Sequence, residues 1–213
     1  MQRTVLVFIG PQGSGKGTQA KILADREGFH VIEMGGLLRA EAAKNTPMSE
    51  QVRAILAKGD LVPARLTIEL IRKKLATLPT DANIVFDGFP RSLEQAQELD
   101  TLVRITRVVH IDVPPDVSVK RISGRLMCPA GHNYNTYYVP PEKEGICNVD
   151  KLPLVHREDD TPTAVRHRLE LYNEVTTKVL EYYRGQGKLL TVNGDASVFA
   201  VSQQINQEVQ VLV

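Results

Sequence analysis

The segment Gly10-Pro11-Gln12-Gly13-Ser14-Gly15-Lys16 has the spacing G-x-x-x-x-G-K and stands between an apolar run, Val5 to Ile9, and a stretch of helical period. A loop in that context handles phosphate. Its glycines admit positive φ and close backbone approach, so successive N–H groups point at one anion while the following helix adds the positive end of its dipole. Lys16 supplies a mobile charge for β- and γ-phosphates. The plain alternative is a glycine-rich turn without a ligand. Gly17 stands where the generic motif has Ser or Thr, and the hydroxyl comes one residue later at Thr18, so a magnesium role for it is expected to run through water. No Ser–His, Cys–His or nucleophilic Lys arrangement accompanies the loop, so the chemistry it points to is positioning and charge neutralisation rather than covalent intermediates.

These residues need a frame. Apolar runs rich in Val, Ile and Phe recur at Val5–Ile9, Ile84–Phe86, Val108–Val113 and Leu189–Val192, separated by amphipathic stretches long enough for crossover helices. The alternation predicts an α/β fold, a parallel sheet with helices on both faces. After the first run Ala20, Leu23 and Ala24 fall at i, i+3 and i+4, and the pattern stops at Glu27-Gly28. Asp116 reads as an N-cap after Pro114-Pro115 for a helix through Leu126. Arg121 and Arg125 would then lie four apart on one helix, where like charges repel unless an anion lies between them, or else mark a solvated face. Thr161-Pro162 opens a long helix whose apolar positions Val165, Leu169, Tyr172, Val179 and Tyr183 keep a helical period, with Arg168 at the edge of the stripe. Two segments break the rhythm. Residues from Glu33 to Pro63 look helical with no strand, and those from Met127 to Asp160 carry Pro, Gly, Tyr and both cysteines in a pattern of short hairpins. Both read as lobes inserted in one core.

The 213 residues suffice for one core of this class with small lobes but hardly for two domains. Lys plus Arg number 26 against 25 Asp plus Glu, so long nucleic acid is not an expected partner. The first apolar run is too short for a signal segment, and no stretch approaches a membrane span. Two cysteines without export signals suggest reduced thiols or a metal site, and a cytoplasmic location is expected.

Gly15-Lys16-Gly17-Thr18-Gln19 and Asp87-Gly88-Phe89-Pro90-Arg91 together resemble the signatures of the adenylate kinase family of nucleoside-monophosphate kinases. The likeness continues in register through Gly36-Leu37-Leu38-Arg39, Leu61-Val62-Pro63, Arg121-x3-Arg125, Arg157-x-Asp159-Asp160 and Arg168, essentially the whole chain. It implies a P-loop core with a five-stranded parallel sheet over residues 1–32, 64–125 and 162–213, a helical monophosphate-binding lobe at 33–63 and a lid at 126–161. The implied reaction is ATP plus AMP giving two ADP, with Mg2+ as cofactor, in a monomer whose partners are nucleotides and neither nucleic acid nor membrane. ATP would be held by Gly13, Ser14, Gly15, Lys16, Gly17, Thr18, Arg121 and Arg125. AMP would be held by Met34, Arg39, Val62, Gly88, Arg91, Gln95, Arg157 and Arg168. Lys16, Arg91, Arg125, Arg157 and Arg168 are the implied catalytic cations, the last three around the transferred phosphoryl. No general base is needed, because the acceptor oxygen is already ionised, and closure of both lobes would exclude water.

Several positions carry two readings. Asp87, after a strand and beside the phosphate loop, suits magnesium through water together with Thr18, or is a strand-end turn residue. Arg91 suits phosphate oxygens held bidentately, or a surface ion pair. Gln95 would be the family's adenine-edge reader, yet Ser92-x-x-Gln95 is also a capping box. Met34 stands where the family usually has a small hydroxyl residue, and Gly36 where it has an acid, so GMP or a pyrimidine monophosphate is the alternative acceptor. Cys128-x3-His132-x14-Cys147-x2-Asp150 has the spacing of one structural zinc site, which some family members carry in the lid. Here Gly131 takes the usual second-ligand position and His132 substitutes from one residue on. A zinc-free hydrogen-bonded lid and a Cys128–Cys147 disulfide are the alternatives. Two other function classes compete: a P-loop ATPase or switch, which needs a water-positioning group, and a zinc-ribbon nucleic-acid module, which needs an aromatic-basic stripe.

Overall fold

A computed structural model describes residues 3–157 and 160–210. The chain begins with β1 (Val5–Ile9), α1 (Lys16–Glu27), β2 (His30–Glu33), α2 (Met34–Ala42), α3 (Pro47–Lys58) and α4 (Ala64–Leu75). It continues with β3 (Ile84–Asp87), α5 (Leu93–Leu102), β4 (Arg107–Asp112), α6 (Pro115–Ser123), β5 (Arg125–Met127) and β6 (Asn133–Asn135). It closes with α7 (Pro162–Leu171), a π-helical turn (Tyr172–Thr176), α8 (Thr177–Gly185), β7 (Leu189–Asn193) and α9 (Val198–Gln210).

The main sheet has the order β2-β3-β1-β4-β7, and every pairing in it is parallel. β1 lies in the middle and is apolar without alternation because both of its faces are covered. Val5, Val7 and Ile9 face a cluster with residues of α4, α5 and α8, while Leu6 and Phe8 face one built with α1 and α9. The phosphate loop therefore leaves a rigid strand at the carboxyl end of the sheet, where ligands of open α/β folds bind. β5 and β6 form a separate antiparallel hairpin. Among the described residues no helix is long and apolar enough to cross a membrane.

Three local expectations are corrected. β2 is a strand although no apolar run announces it: it is the sheet's edge, and only Ile32 of its four residues is buried. The helix expected from Asp116 to Leu126 starts at Pro115 and stops at Ser123, so Arg121 and Arg125 do not share a helix. Gly124 ends it because the β5–β6 hairpin closes over that position: a Cβ there would stand 2.6 Å from Thr136 Oγ1 and from Tyr137 Cδ2. The long helix from Pro162 is interrupted by the π turn, in which the Thr176 hydroxyl donates to the Arg91 carbonyl (2.9 Å) and Tyr172 Oη meets His110 Nε2 (2.7 Å). Its start is as read, with the Thr161 hydroxyl accepting from the Ala164 N–H.

Candidate functional site

The carboxyl ends of β1 and β3 open onto a cleft of about 1120 Å³, lined by the whole phosphate loop from Gly13 to Thr18. The same cleft collects Met34, Arg39, Val62, Asp87, Gly88, Arg91, Gln95, Arg121, Arg125, Arg157 and Arg168. Every nucleotide and magnesium residue named from the sequence thus meets in one place, although they come from widely separated segments.

The loop's shape follows from its glycines. Gly13 has φ 81°, and a Cβ on it would lie 2.8 Å from the Ser118 carbonyl, so glycine lets α6 pack against the loop. From the same helix the Ser118 hydroxyl donates to the Gln12 carbonyl. Lys16 folds back over the loop, its Nζ donating to the carbonyls of Gly10 and Pro11 (2.8 Å each) and to Ser14 Oγ (3.2 Å). Burial lowers its pKa to about 8; Asp87 opposes the shift, and the charges of Arg91 and Arg125 add to it. Asp87 is 8% exposed, and burial pushes its carboxyl up, against the pull of Lys16. Its Oδ2 would lie 3.1 Å from a Cβ at residue 17, so any side chain there would press on this carboxylate. A carboxylate beside a phosphate loop, with the Thr18 hydroxyl in the same cleft, is a donor set suited to a magnesium ion that keeps its waters.

The arginines are held by distinct partners. Arg125 grips Asp160 with a fork, Nε to Oδ2 at 2.8 Å and Nη2 to Oδ1 at 2.6 Å. Asp160 also accepts from Gln12 Nε2 (3.1 Å) and lies 3.7 Å from Arg168 Nη1, so one carboxylate joins the phosphate loop, β5 and α7. Arg91 Nε donates to the Gly88 carbonyl (2.8 Å). Desolvation by the cleft walls pushes its pKa down and the charges of Arg168, Arg157 and Arg39 push it further, with Asp87 opposing. Arg157 is felt at Asp87 as well, so it faces the same centre. Arg39 pairs with Glu33 Oε1 at 2.9 Å. Arg121 points elsewhere: Nη1 donates to the Gly194 carbonyl (2.9 Å), and the guanidinium lies 5.0 Å from the centre of the Tyr138 ring.

On the other side of the loop Met34 is buried, and Gln95 is committed at both ends of its amide. Oε1 accepts from the Arg91 N–H (2.7 Å), and Nε2 donates to the Val62 carbonyl (2.9 Å). The Ser92 hydroxyl does accept from the Gln95 N–H, but the reciprocal half of the expected capping box is replaced by the bond to Arg91. One amide hydrogen and one lone pair of Gln95 remain for a ligand.

Cys128, His132, Cys147 and Asp150 place their ligand atoms within 4.8 Å of one another. Cys128 Sγ is 3.3 Å from His132 Nδ1 and 3.1 Å from Asp150 Oδ2, and Cys147 Sγ is 3.6 Å from His132 Nδ1. A tetrahedron with metal–ligand bonds of about 2.0–2.3 Å has edges of roughly 3.3–3.8 Å, so zinc would be seated by small shifts of these four side chains. Both cysteines are free, which removes the disulfide alternative.

Sequence reading missed four contributors. Gln12 and Glu33 form bonds that no motif announces; Asp160 was seen in a motif without a partner; and Tyr138 with the turn from Gly194 to Ser197 walls the Arg121 end of the cleft. That turn could have been found, since Asn193-Gly194-Asp195 follows the last apolar run at the sheet's carboxyl edge. Asp159 lies outside the described residues.

The family model for adenylate kinase matches residues 8–188. An adenylate kinase of Hydrogenobaculum sp. (strain Y04AAS1) is 38% identical, with 94% of this chain and 98% of the relative aligned. Those of Methanosarcina mazei and Kosmotoga olearia are 37% and 36% identical, each over 94% of this chain, with 95% and 96% of the relative covered. The matched span runs from within β1 to the edge of β7 and so includes every cleft cation named above; the chain belongs to the adenylate kinase family.

Proposed function

We propose that the chain transfers the terminal phosphoryl group of magnesium-bound ATP to AMP, giving two ADP. The observation that carries this reading is the convergence of Lys16, Arg91, Arg125, Arg157 and Arg168 on one cleft that also contains a phosphate loop. ATP lies with its phosphates on Gly13, Ser14, Gly15, Lys16, Gly17 and Thr18, and its base toward Arg121. AMP lies with its phosphate on Arg39 and Arg91, and its base among Met34, Val62, Gly88 and Gln95. Binding displaces the bonds that Lys16 makes to its own loop, and the released ammonium follows the migrating charge. Arg125, Arg157 and Arg168 hold the phosphoryl between the two nucleotides; a single such arginine is worth about 10³–10⁵ in rate in related transfers. Magnesium, held through water by Thr18 and Asp87, neutralises phosphate charge.

The core comprises residues 1–32, 64–125 and 162–213, and the segments 33–63 and 126–161 act as a monophosphate lobe and a lid that close to exclude water. Met34 contributes packing without a hydrogen bond, so adenine is read by the free donor and acceptor of Gln95, which match the N1 and N6 edge. Cys128, His132, Cys147 and Asp150 hold one structural zinc, all four ligand positions being protein atoms. The enzyme is a cytoplasmic monomer on this reading. A coupled assay with ATP and AMP, GMP, CMP or UMP in turn tests the acceptor. AMP is expected to have the highest kcat/KM by at least about tenfold, as hydrogen-bonded base reading allows; a higher value for another base overturns the adenine assignment. Metal analysis of the purified chain is expected to give one zinc per chain, and none after Cys128→Ser.

A further inference from the structure

The residue that closes β2 is Glu33, and its side chain, half exposed, lies along the first turn of α2. Oε1 accepts from Arg39 Nη2 at 2.9 Å. Two glycines make room for the pair. A Cβ on Gly35 would stand 3.0 Å from Arg39 Nη1 and 3.3 Å from Glu33 Oε1, and one on Gly36 would stand 3.2 Å from Glu33 Oε2. Glycine is a poor helix former, so two in succession at a helix start are explained by the bare surface they provide. The carboxylate and guanidinium side chains are 50% and 37% exposed, and both line the cleft. The arrangement is therefore an internal anion seated on a cation of the site, held loosely enough to be displaced.

We propose that Glu33 is a positioning residue of the acceptor site. Its carboxylate occupies the Arg39 donors that the acceptor's phosphate would take, and it thereby sets the affinity for the nucleoside monophosphate. The inference rests on the reading that Arg39 binds that phosphate. It gives Glu33 two effects of opposite sign. The carboxylate, seated over Gly35 and Gly36, holds Arg39 folded against Gly35, which aims the guanidinium. It also competes with an incoming phosphate, because both anions seek the same donors and repel each other across them. In a solvent-accessible cleft the repulsion between groups about 5 Å apart outweighs the aiming and corresponds to a several-fold weakening of acceptor binding. Donor binding changes less than acceptor binding, since the phosphate loop is served by Lys16 and Glu33 reaches that end only through its charge at Asp87.

Glu33→Gln keeps size and hydrogen-bonding capacity while removing the charge, so it separates charge from shape. The expected result is a Kd and KM for AMP lowered by about three- to tenfold, with kcat and the KM for ATP each within about twofold. Inorganic phosphate, as a competitive inhibitor against AMP, is expected to tighten by a similar factor. Glu33→Ser, which removes reach as well as charge, is expected to move acceptor affinity the same way. Unchanged or weaker AMP binding in both variants overturns the inference while wild-type turnover upholds the parent reading. A wild type that turns over no monophosphate overturns both.

Discussion

Replacing Lys16 by arginine and following ATP affinity from pH 7.5 to 9.5 tests the electrostatics of the phosphate loop quantitatively. In the empty loop, burial among its own carbonyls lowers the Lys16 pKa from 10.5 to about 8, with Asp87 opposing and Arg91 and Arg125 adding. A triphosphate beside Nζ reverses the shift, because an adjacent anion favours the charged form. Below pH 8 the lysine is charged both with and without nucleotide, and affinity does not depend on its titration. As pH rises through 8 the empty enzyme loses a proton that the complex keeps, so affinity falls. At pH 9 about one-tenth of the empty enzyme retains the charge, which makes affinity about tenfold weaker than at pH 7.5, and at pH 9.5 about thirtyfold weaker. Arginine does not titrate in this range, so Lys16→Arg should bind less tightly at pH 7.5 but hold a flat profile. Calorimetry or a fluorescent ATP analogue reads both curves. A wild-type profile flat to pH 9.5, or equal slopes in the two proteins, would refute the reasoning. The same depressed pKa costs the empty fold about 3 kcal/mol below pH 8, a cost relieved as pH rises from 8 toward 10.5.

Asp160→Asn should lower kcat at least about tenfold and reduce stability by about 2 kcal/mol, because Arg125 loses the charge of its fork partner and Arg168 a carboxylate 3.7 Å away; the Asp160 side chain is 5% exposed but that of Arg125 a fifth, so the loss is smaller than for a fully buried pair. Steady-state kinetics and denaturant titration check it. Gly124→Val should displace the β5–β6 hairpin, since a Cβ there meets Thr136 and Tyr137 at 2.6 Å, and should raise the KM for ATP several-fold while leaving the main sheet's circular dichroism unchanged. Dialysis against a strong chelator should remove the zinc proposed for the lid, lowering Tm by roughly 5–10 °C and raising protease sensitivity chiefly between residues 126 and 161.

How much of this was legible in the sequence depended on whether the signal was local. The phosphate loop declares itself because glycine spacing, the preceding apolar run and the following helix all lie within about thirty residues. Strands covered on both faces, such as β1, are legible for the same reason, whereas β2 has one buried residue and no pattern to read. Gly124 ends α6 for a reason supplied by the hairpin that folds back on it, and a helical period read forward through Arg125 does not contain that information. Gln12, Glu33 and Asp160 were invisible as partners because their bonds are set by the fold: Gln12 and Asp160 are 148 positions apart in the chain. Gln95 shows the opposite error, in which a valid local motif is half used because a longer-range bond to Val62 and a bond to Arg91 take its side chain.

The proposed reaction is direct transfer between two nucleotides, with water excluded as acceptor. Incubating the chain with magnesium, γ-labelled ATP and unlabelled AMP, and separating the products after a single turnover, tests it most directly. The label is expected in ADP, only when AMP is present, with little inorganic phosphate. Label released as phosphate at the same rate with and without AMP would contradict it.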